Sequence, residues 1–179
     1  MARKINIYGP SGSGKTKFII DNAFSGLGFF VKAKSIFSYQ FAVSLLPLPL
    51  FQGTVEMYFK MFAVRHYEIE EKFDELRDLL GIDVEKVLER EYATLSAGEK
   101  RRLDIFRCVL MSRFVVIDEP FSNSSNEYSS KILEFLNCNC ECVVFLNHSY
   151  LESFHNIQIE DLAQLEKIFD IQPNFLKVC

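Results

Sequence analysis

Missing from this chain is any apolar run suited to crossing a membrane: the longest stretch without a charge, Ser35 to Val55, is interrupted by Pro47, Pro49 and Gly53 and contains polar residues. Nor is there an apolar leader, since the first four residues carry two charges and run into a strand-like segment, so a cytoplasmic location is expected. An excess of basic charge is lacking too. Twenty Lys and Arg against 24 Asp and Glu give a formal charge of −4, which argues against the electrostatic footprint of a nucleic-acid or anionic-membrane binder, and no nucleic acid is expected as a partner. Internal repeats and low-complexity linkers are absent, and 179 residues suffice for one well-cored α/β domain but not two large ones, so residues 1–179 are read as a single domain. Cysteine is scarce and odd in number. Five residues, three of them alternating as Cys138, Cys140 and Cys142, fit free thiols in a reducing compartment. Such a run could bind a metal with His148, His155 or Cys179 as fourth ligand; the competing reading is that Cys142 leads into the apolar Val143 to Leu146 and that alternate small residues share a buried strand face.

What the chain does have is Gly9-Pro10-Ser11-Gly12-Ser13-Gly14-Lys15-Thr16, which satisfies G-x-x-x-x-G-K-[ST] and follows the apolar Ile5-Asn6-Ile7-Tyr8. A strand, a glycine-rich turn and a helix N-terminus in that order aim backbone N–H groups at one point, where a polyphosphate can sit. The loop from Gly9 through Ser11, Gly12, Ser13 and Gly14 forms that cradle, and its glycines permit close approach. Lys15 reaches the β- and γ-phosphates as a point charge, and the Thr16 hydroxyl takes one coordination position of Mg²⁺. A nucleoside triphosphate with Mg²⁺ is therefore the expected ligand. Asp118 and Glu119 follow the unbroken apolar run Phe114 to Ile117, a strand buried on both faces, at the end where an open α/β sheet places its ligand-binding groups. Asp118 is expected on Mg²⁺ and Glu119 on the water that attacks the γ-phosphate.

Periodicity divides the remainder. A helix runs from the phosphate loop to about Asn22; Phe29 to Tyr39 reads as one or two short strands, closed by Gln40. Glu56 to Tyr92 reads as at least two helices broken at Gly81, with Asp83 as an N-cap and Val84, Val87 and Leu88 as an apolar stripe. Helices follow at Ala97 to Met111, Ser124 to Leu136 and Leu162 to Phe169, and strands at Cys142 to Asn147 and Ile157 to Ile159. Strands alternating with helices imply an α/β fold with a mainly parallel sheet.

Upstream of the acidic pair, with Ser96 and Asp118 22 positions apart, lies Leu95-Ser96-Ala97-Gly98-Glu99. This segment resembles the LSGGQ signature of ATP-binding cassette (ABC) ATPases, with Ala97 in place of one glycine and Glu99 in place of glutamine, and Lys100 to Leu103 looks like the start of that family's signature helix. The resemblance implies that the nucleoside triphosphate is ATP and that the fold is that of a phosphate-loop NTPase, with an inserted helical subdomain at about 54–111 and a reduced antiparallel β-subdomain. It also implies that Ser96 and Gly98 present a hydroxyl and backbone N–H groups to a γ-phosphate held by another subunit, hence a homodimer or a paired ABC ATPase. A helix cap, Ser96 with Glu99 three residues on, explains the same residues, and the two readings are compatible. In family order, Gln40 resembles the Q-loop glutamine that senses Mg²⁺ and the attacking water. Leu46 to Phe51 and Gly53 to Glu56 look loosely like the segment that follows it, and His148 resembles the switch histidine on the γ-phosphate.

The resemblance covers Ile5 to about His148. Only eight residues precede Gly9, so no counterpart of the family's upstream aromatic that stacks on adenine is expected; and Ser125 stands where an aspartate is usual. Two functions follow from the resemblance. One is the ATP-hydrolysing subunit of an ABC transporter, working at the inner face of the membrane through a separate transmembrane permease that contacts the proline-bent Phe41 to Phe59; packing of the helical subdomain is the other account of that segment. The alternative is a soluble ABC-type ATPase switch not linked to transport. A metabolite kinase explains Lys15 and Asp118 but leaves Ser96, Gly98 and His148 without roles.

Overall fold

Short runs of β-branched and apolar residues between turn signals build one sheet. The computed structural model describes residues 2–15, 30–31, 41–44, 51–62, 69–81, 83–122 and 124–158. Among them, strands β1 (Arg3–Tyr8), β2 (Phe30–Val31), β3 (Phe41–Ser44), β4 (Phe114–Asp118), β5 (Cys142–Asn147) and β6 (His155–Gln158) lie in the order β2-β3-β4-β5-β1-β6. β2 pairs antiparallel with β3, and every other pairing is parallel. Buried Val115, Val116 and Ile117 in β4 and Val143 to Leu146 in β5 account for the unbroken apolar runs, since a central parallel strand is covered on both faces.

The described helices are α1 (Val55–Met61), α2 (Phe73–Leu80), α3 (Val84–Glu89), α4 (Ala97–Met111) and α5 (Asn126–Asn139). α1 starts at Thr54, whose hydroxyl accepts from Met57 N, and that start is stitched to the segment beyond α3: Val55 N donates to Arg90 O at 2.9 Å and Tyr92 N to Gly53 O at 2.8 Å. Its inward residues, Val55, Tyr58 and Phe59, are fully buried. Tyr58 stacks on Tyr92 with centroids 4.7 Å apart, and Phe51 and Phe62 close on Tyr58 edge-on. A polar knot crosses this aromatic cluster. The Tyr58 hydroxyl donates to Asp104 Oδ1 at 2.7 Å, and Arg107 donates to the same oxygen through Nε at 2.9 Å and Nη2 at 2.7 Å, joining α1 to the buried side of α4.

α2 ends where the sequence says it should. Gly81 caps it in the left-handed region, φ +70°, and a Cβ there would fall on the Tyr128 hydroxyl of α5. The Tyr128 ring in turn lies 3.8 Å below the Arg102 guanidinium of α4, so one glycine lets three helices meet. Gly81→Ala is expected to destabilise the fold by about 2 kcal/mol, combining left-handed strain with the clash. Urea denaturation monitored by circular dichroism measures it.

Several expectations are corrected. α5 starts after Ser125, which caps it by accepting from Tyr128 N, and runs on to Asn139, because Asn137, Cys138 and Asn139 include no helix breaker. Cys138 is therefore helical and exposed, while Cys140 and Cys142 are buried, so the three cysteines do not share one strand face. Of the segment Phe41 to Phe59, the described Phe41 to Ser44 is hydrogen-bonded into the sheet between β2 and β4. Val55, Tyr58 and Phe59 pack inward, and Met57 and Met61, 56 % and 49 % exposed, face solvent. β6 begins at His155, ahead of the expected Ile157. The expected helices to Asn22 and from Leu162 to Phe169, and the strand before Gln40, lie outside the described residues.

Candidate functional site

Parallel register brings the chemistry to one edge. Asp118, the last residue of β4, is level with Leu146 of β5, and Tyr8, the last residue of β1, is level with Asn147. Three chain ends therefore emerge side by side: the phosphate loop from β1, Asp118 and Glu119 from β4, and His148 from β5. Main-chain bonds fix the exits, with Glu119 N donating to Leu146 O at 2.8 Å and Gly9 N to Asn147 O at 3.3 Å.

The loop itself turns through Gly12 at φ +81° and Gly14 at φ +86°, conformations that side chains resist. Nothing lies within 4 Å of a Cβ built on Gly12, so the space above the turn is open. Lys15 is only 6 % exposed, its Nζ donating to Gly9 O at 2.8 Å, Pro10 O at 3.0 Å and Ser13 Oγ at 2.9 Å. Burial pulls its pKa below the ordinary lysine value, and the Asp118 and Glu119 carboxylates partly oppose that pull. A buried ammonium beside an open glycine turn and a nearly buried strand-end carboxylate, Asp118, forms a donor set that fits a polyphosphate with a hard cation. Thr16 lies outside the described residues.

Glu119 stands at φ +48°, a left-handed backbone rare for a non-glycine residue and costing about 1–3 kcal/mol where surrounding contacts hold it. Here Ser122 holds it, donating to Glu119 O from N at 3.1 Å and from Oγ at 3.0 Å. Glu119 Oε1 lies 2.5 Å from His148 Nε2, across β4 and β5. Lys15, Asp118, Glu119 and His148 thus belong to one cluster.

Ser96 and Gly98 belong to another. Ser96 caps α4 in a complete capping box: its hydroxyl accepts from Glu99 N at 3.2 Å, and its own N–H donates to Glu99 Oε2 at 2.7 Å. Arg90 Nη1 donates to Glu99 Oε1 at 3.2 Å, a partner that no local pattern announces. Burial pushes the Glu99 carboxyl up, but the Ser96 hydrogen bonds and the Arg90 charge outweigh it, leaving the pKa below the ordinary value. A depressed carboxylate pKa stabilises the fold above the unfolded-state value, about pH 4.3, and that stabilisation is lost as pH falls through the folded value. Glu99→Gln is therefore expected to be less stable than wild type near pH 7 and to close the gap between pH 5 and 3, as urea midpoints across that range would measure.

Gln40 lies outside the described residues. Its successor Phe41 opens β3, and Ala42 is level with Val115 and Ser44 with Ile117, so the end of β3 beside the acidic pair is Ser44, not Phe41. Sequence reasoning also passed over Asn6. Its Nδ2 donates to Ser149 O at 3.0 Å and to Asn156 Oδ1 at 2.6 Å, pinning the turn after His148 onto β1. The signal was there: one amide in the apolar run Ile5-Asn6-Ile7.

No protein-family model matches the chain. It is 35 % identical over 152 residues to the molybdenum import ATP-binding protein ModC of Rhizobium johnstonii, covering 73 % of this chain and 41 % of that protein. The molybdate/tungstate import ATP-binding protein WtpC of Pyrococcus abyssi is 28 % identical over 142 residues, covering 71 % and 41 %. Among solved structures, a putative ABC transporter ATP-binding protein from Pyrococcus furiosus superposes with a TM-score of 0.57 at 21 % identity, covering 86 % of this chain and 82 % of that one. The chain thus spans about two fifths of the length of these curated relatives. Its sheet, phosphate loop and helices have the α/β architecture of the solved structure.

Proposed function

Because this chain belongs to the ATP-binding cassette (ABC) ATPase family, we propose that it binds and hydrolyses ATP between two copies and drives a separate membrane subunit. The observation that carries the reading is the meeting of Lys15, Asp118, Glu119 and His148 at adjacent strand ends, with His148 Nε2 2.5 Å from Glu119 Oε1.

Gly9, Ser11, Gly12, Ser13 and Gly14 cradle the phosphates, and Lys15 exchanges its three loop oxygens for β- and γ-phosphate oxygens. Asp118 and Thr16 would hold Mg²⁺, which supplies charge neutralisation at those oxygens. Glu119 accepts a proton from water as the water oxygen bonds to the γ-phosphorus and the bond to the β-phosphate bridging oxygen breaks. His148 orients the Glu119 carboxylate and donates to the γ-phosphate. Ser96 and Gly98, at the amino end of α4, complete the site of the opposing copy.

Within the single domain, residues 54–111 form the helical subdomain, and α1 offers a partner the face bearing Met57 and Met61. The transport reading draws on the import functions named for the relatives and on that face. Among the described residues no helix is long and apolar enough to cross a membrane.

Specific ATPase activity measured against protein concentration tests the proposal. A site completed in trans gives activity per chain that rises with concentration and then saturates. Constant activity per chain would reduce Leu95 to Glu99 to a helix cap, and no hydrolysis at any concentration would remove the enzymatic reading.

A further inference from the structure

Two tyrosines beside the phosphate loop have no part in the scheme above. Tyr8 immediately precedes Gly9, and its hydroxyl donates to Gln158 Oε1 at 3.1 Å, at the end of β6. Tyr150 follows His148 by two residues and is 59 % exposed. The two rings meet edge-on, centroids 6.1 Å apart and planes at 90°. This contact braces the Tyr150 ring while leaving more than half of the residue open, the state in which an aromatic side chain offers a stacking surface.

The polarity of a bound nucleotide decides what could use that surface. Asp118, Glu119 and His148, the groups for the γ-phosphate end, leave β4 and β5; the loop that takes the phosphates leaves β1, on the next position of the sheet. Phosphates laid from β5 across β1 send the ribose and base onward, toward β6. Tyr8, Gln158 and Tyr150 lie on that side. The turn carrying Tyr150 is also held in place before any ligand arrives. Besides the Asn6 bonds, Leu151 N donates to Asn156 Oδ1 at 3.0 Å, and Asn156 Nδ2 donates to Leu151 O at 2.6 Å and to Phe154 O at 2.8 Å.

We propose that Tyr150, braced by Tyr8, is the surface on which the base of the bound nucleotide stacks. The proposal rests on the nucleotide-binding reading above and assigns it a base subsite, built from the crossover between β5 and β6.

Calorimetry on the full chain with Mg-ATP and with magnesium tripolyphosphate, which has the phosphates but no base, tests it. Tyr150→Ala is expected to weaken ATP about tenfold and to leave tripolyphosphate unchanged. The chain contains no tryptophan, so Tyr150→Trp installs a single reporter, whose fluorescence Mg-ATP quenches and tripolyphosphate does not. Equal ATP affinity for wild type and Tyr150→Ala, with no quenching in Tyr150→Trp, overturns the stacking assignment and leaves the phosphate site intact. So does an equal loss of both ligands in Tyr150→Ala, which marks a structural role. Wild-type chain that binds neither ligand overturns the nucleotide site itself, and the base subsite with it.

Discussion

Glu119→Gln lowers ATP turnover by about 10²- to 10⁴-fold and leaves nucleotide binding intact, if the carboxylate takes the proton of the attacking water. The amide keeps the shape of the side chain and can still reach His148 Nε2, so the contact of 2.5 Å survives in form while proton acceptance does not. A hydrolysis-blocked variant with a site completed in trans also accumulates the ATP-bound assembly, because ligand held by the dimer alone shifts the equilibrium toward it. Light scattering with Mg-ATP is expected to give twice the monomer mass for the variant and mainly monomer for wild type during turnover. Turnover in the variant within a few-fold of wild type would move the proton acceptor elsewhere, with the Asp118 carboxylate as the next candidate.

Asp104→Ala acts on the fold and not on the chemistry. The substitution leaves the Arg107 guanidinium, 2 % exposed, without the oxygen that accepts two of its hydrogen bonds and the Tyr58 hydroxyl. Breaking a buried pair from one side costs about 3–5 kcal/mol, a large part of the total stability of about 5–15 kcal/mol of an ordinary domain. The same reasoning predicts rescue. Tyr58→Phe, Asp104→Leu and Arg107→Met together remove all three polar partners and recover most of the loss, since the desolvation cost vanishes with the charges. Urea denaturation of wild type, the single variant and the triple variant measures both effects. A single variant within 1 kcal/mol of wild type would mean that water reaches the pair. Ordinary pH does not perturb the knot through Tyr58: burial first, then the Asp104 charge, raise its hydroxyl pKa well above the usual tyrosine value.

These residues also show where the sequence is readable. The loop from Gly9 to Lys15, the acidic pair and α4 from Ala97 to Met111 were legible because each is set by local rules: glycine conformations, a strand end, a capping box. Strand β3 was not. The stretch around Gln40 is apolar on both sides, and nothing local chooses Phe41 to Ser44 over the residues before Gln40; pairing with Val115 to Ile117 makes the choice, and that is a tertiary fact. Asp104 and Arg107 are two charges three apart on a helix, a spacing that carries no sign of burial, and it is packing against Tyr58 of α1 that encloses them. The Glu119 to His148 contact joins residues 29 positions apart and depends on a backbone angle that no pattern announces.

α4 passes into β4 through Ser112 and Arg113 alone, and the Arg113 carbonyl is anchored by the N–H groups of Glu141 and Cys142 at the start of β5. A helix of fifteen residues, about 22 Å long, and the strand that ends in Asp118 therefore behave as one bent rod with a pinned elbow. In a dimer of the kind proposed, the far tip of that rod touches the other copy's nucleotide while its near tip carries the acidic pair of its own. Each copy would then gauge the occupancy of both pockets mechanically, by the tilt of a single piece of chain.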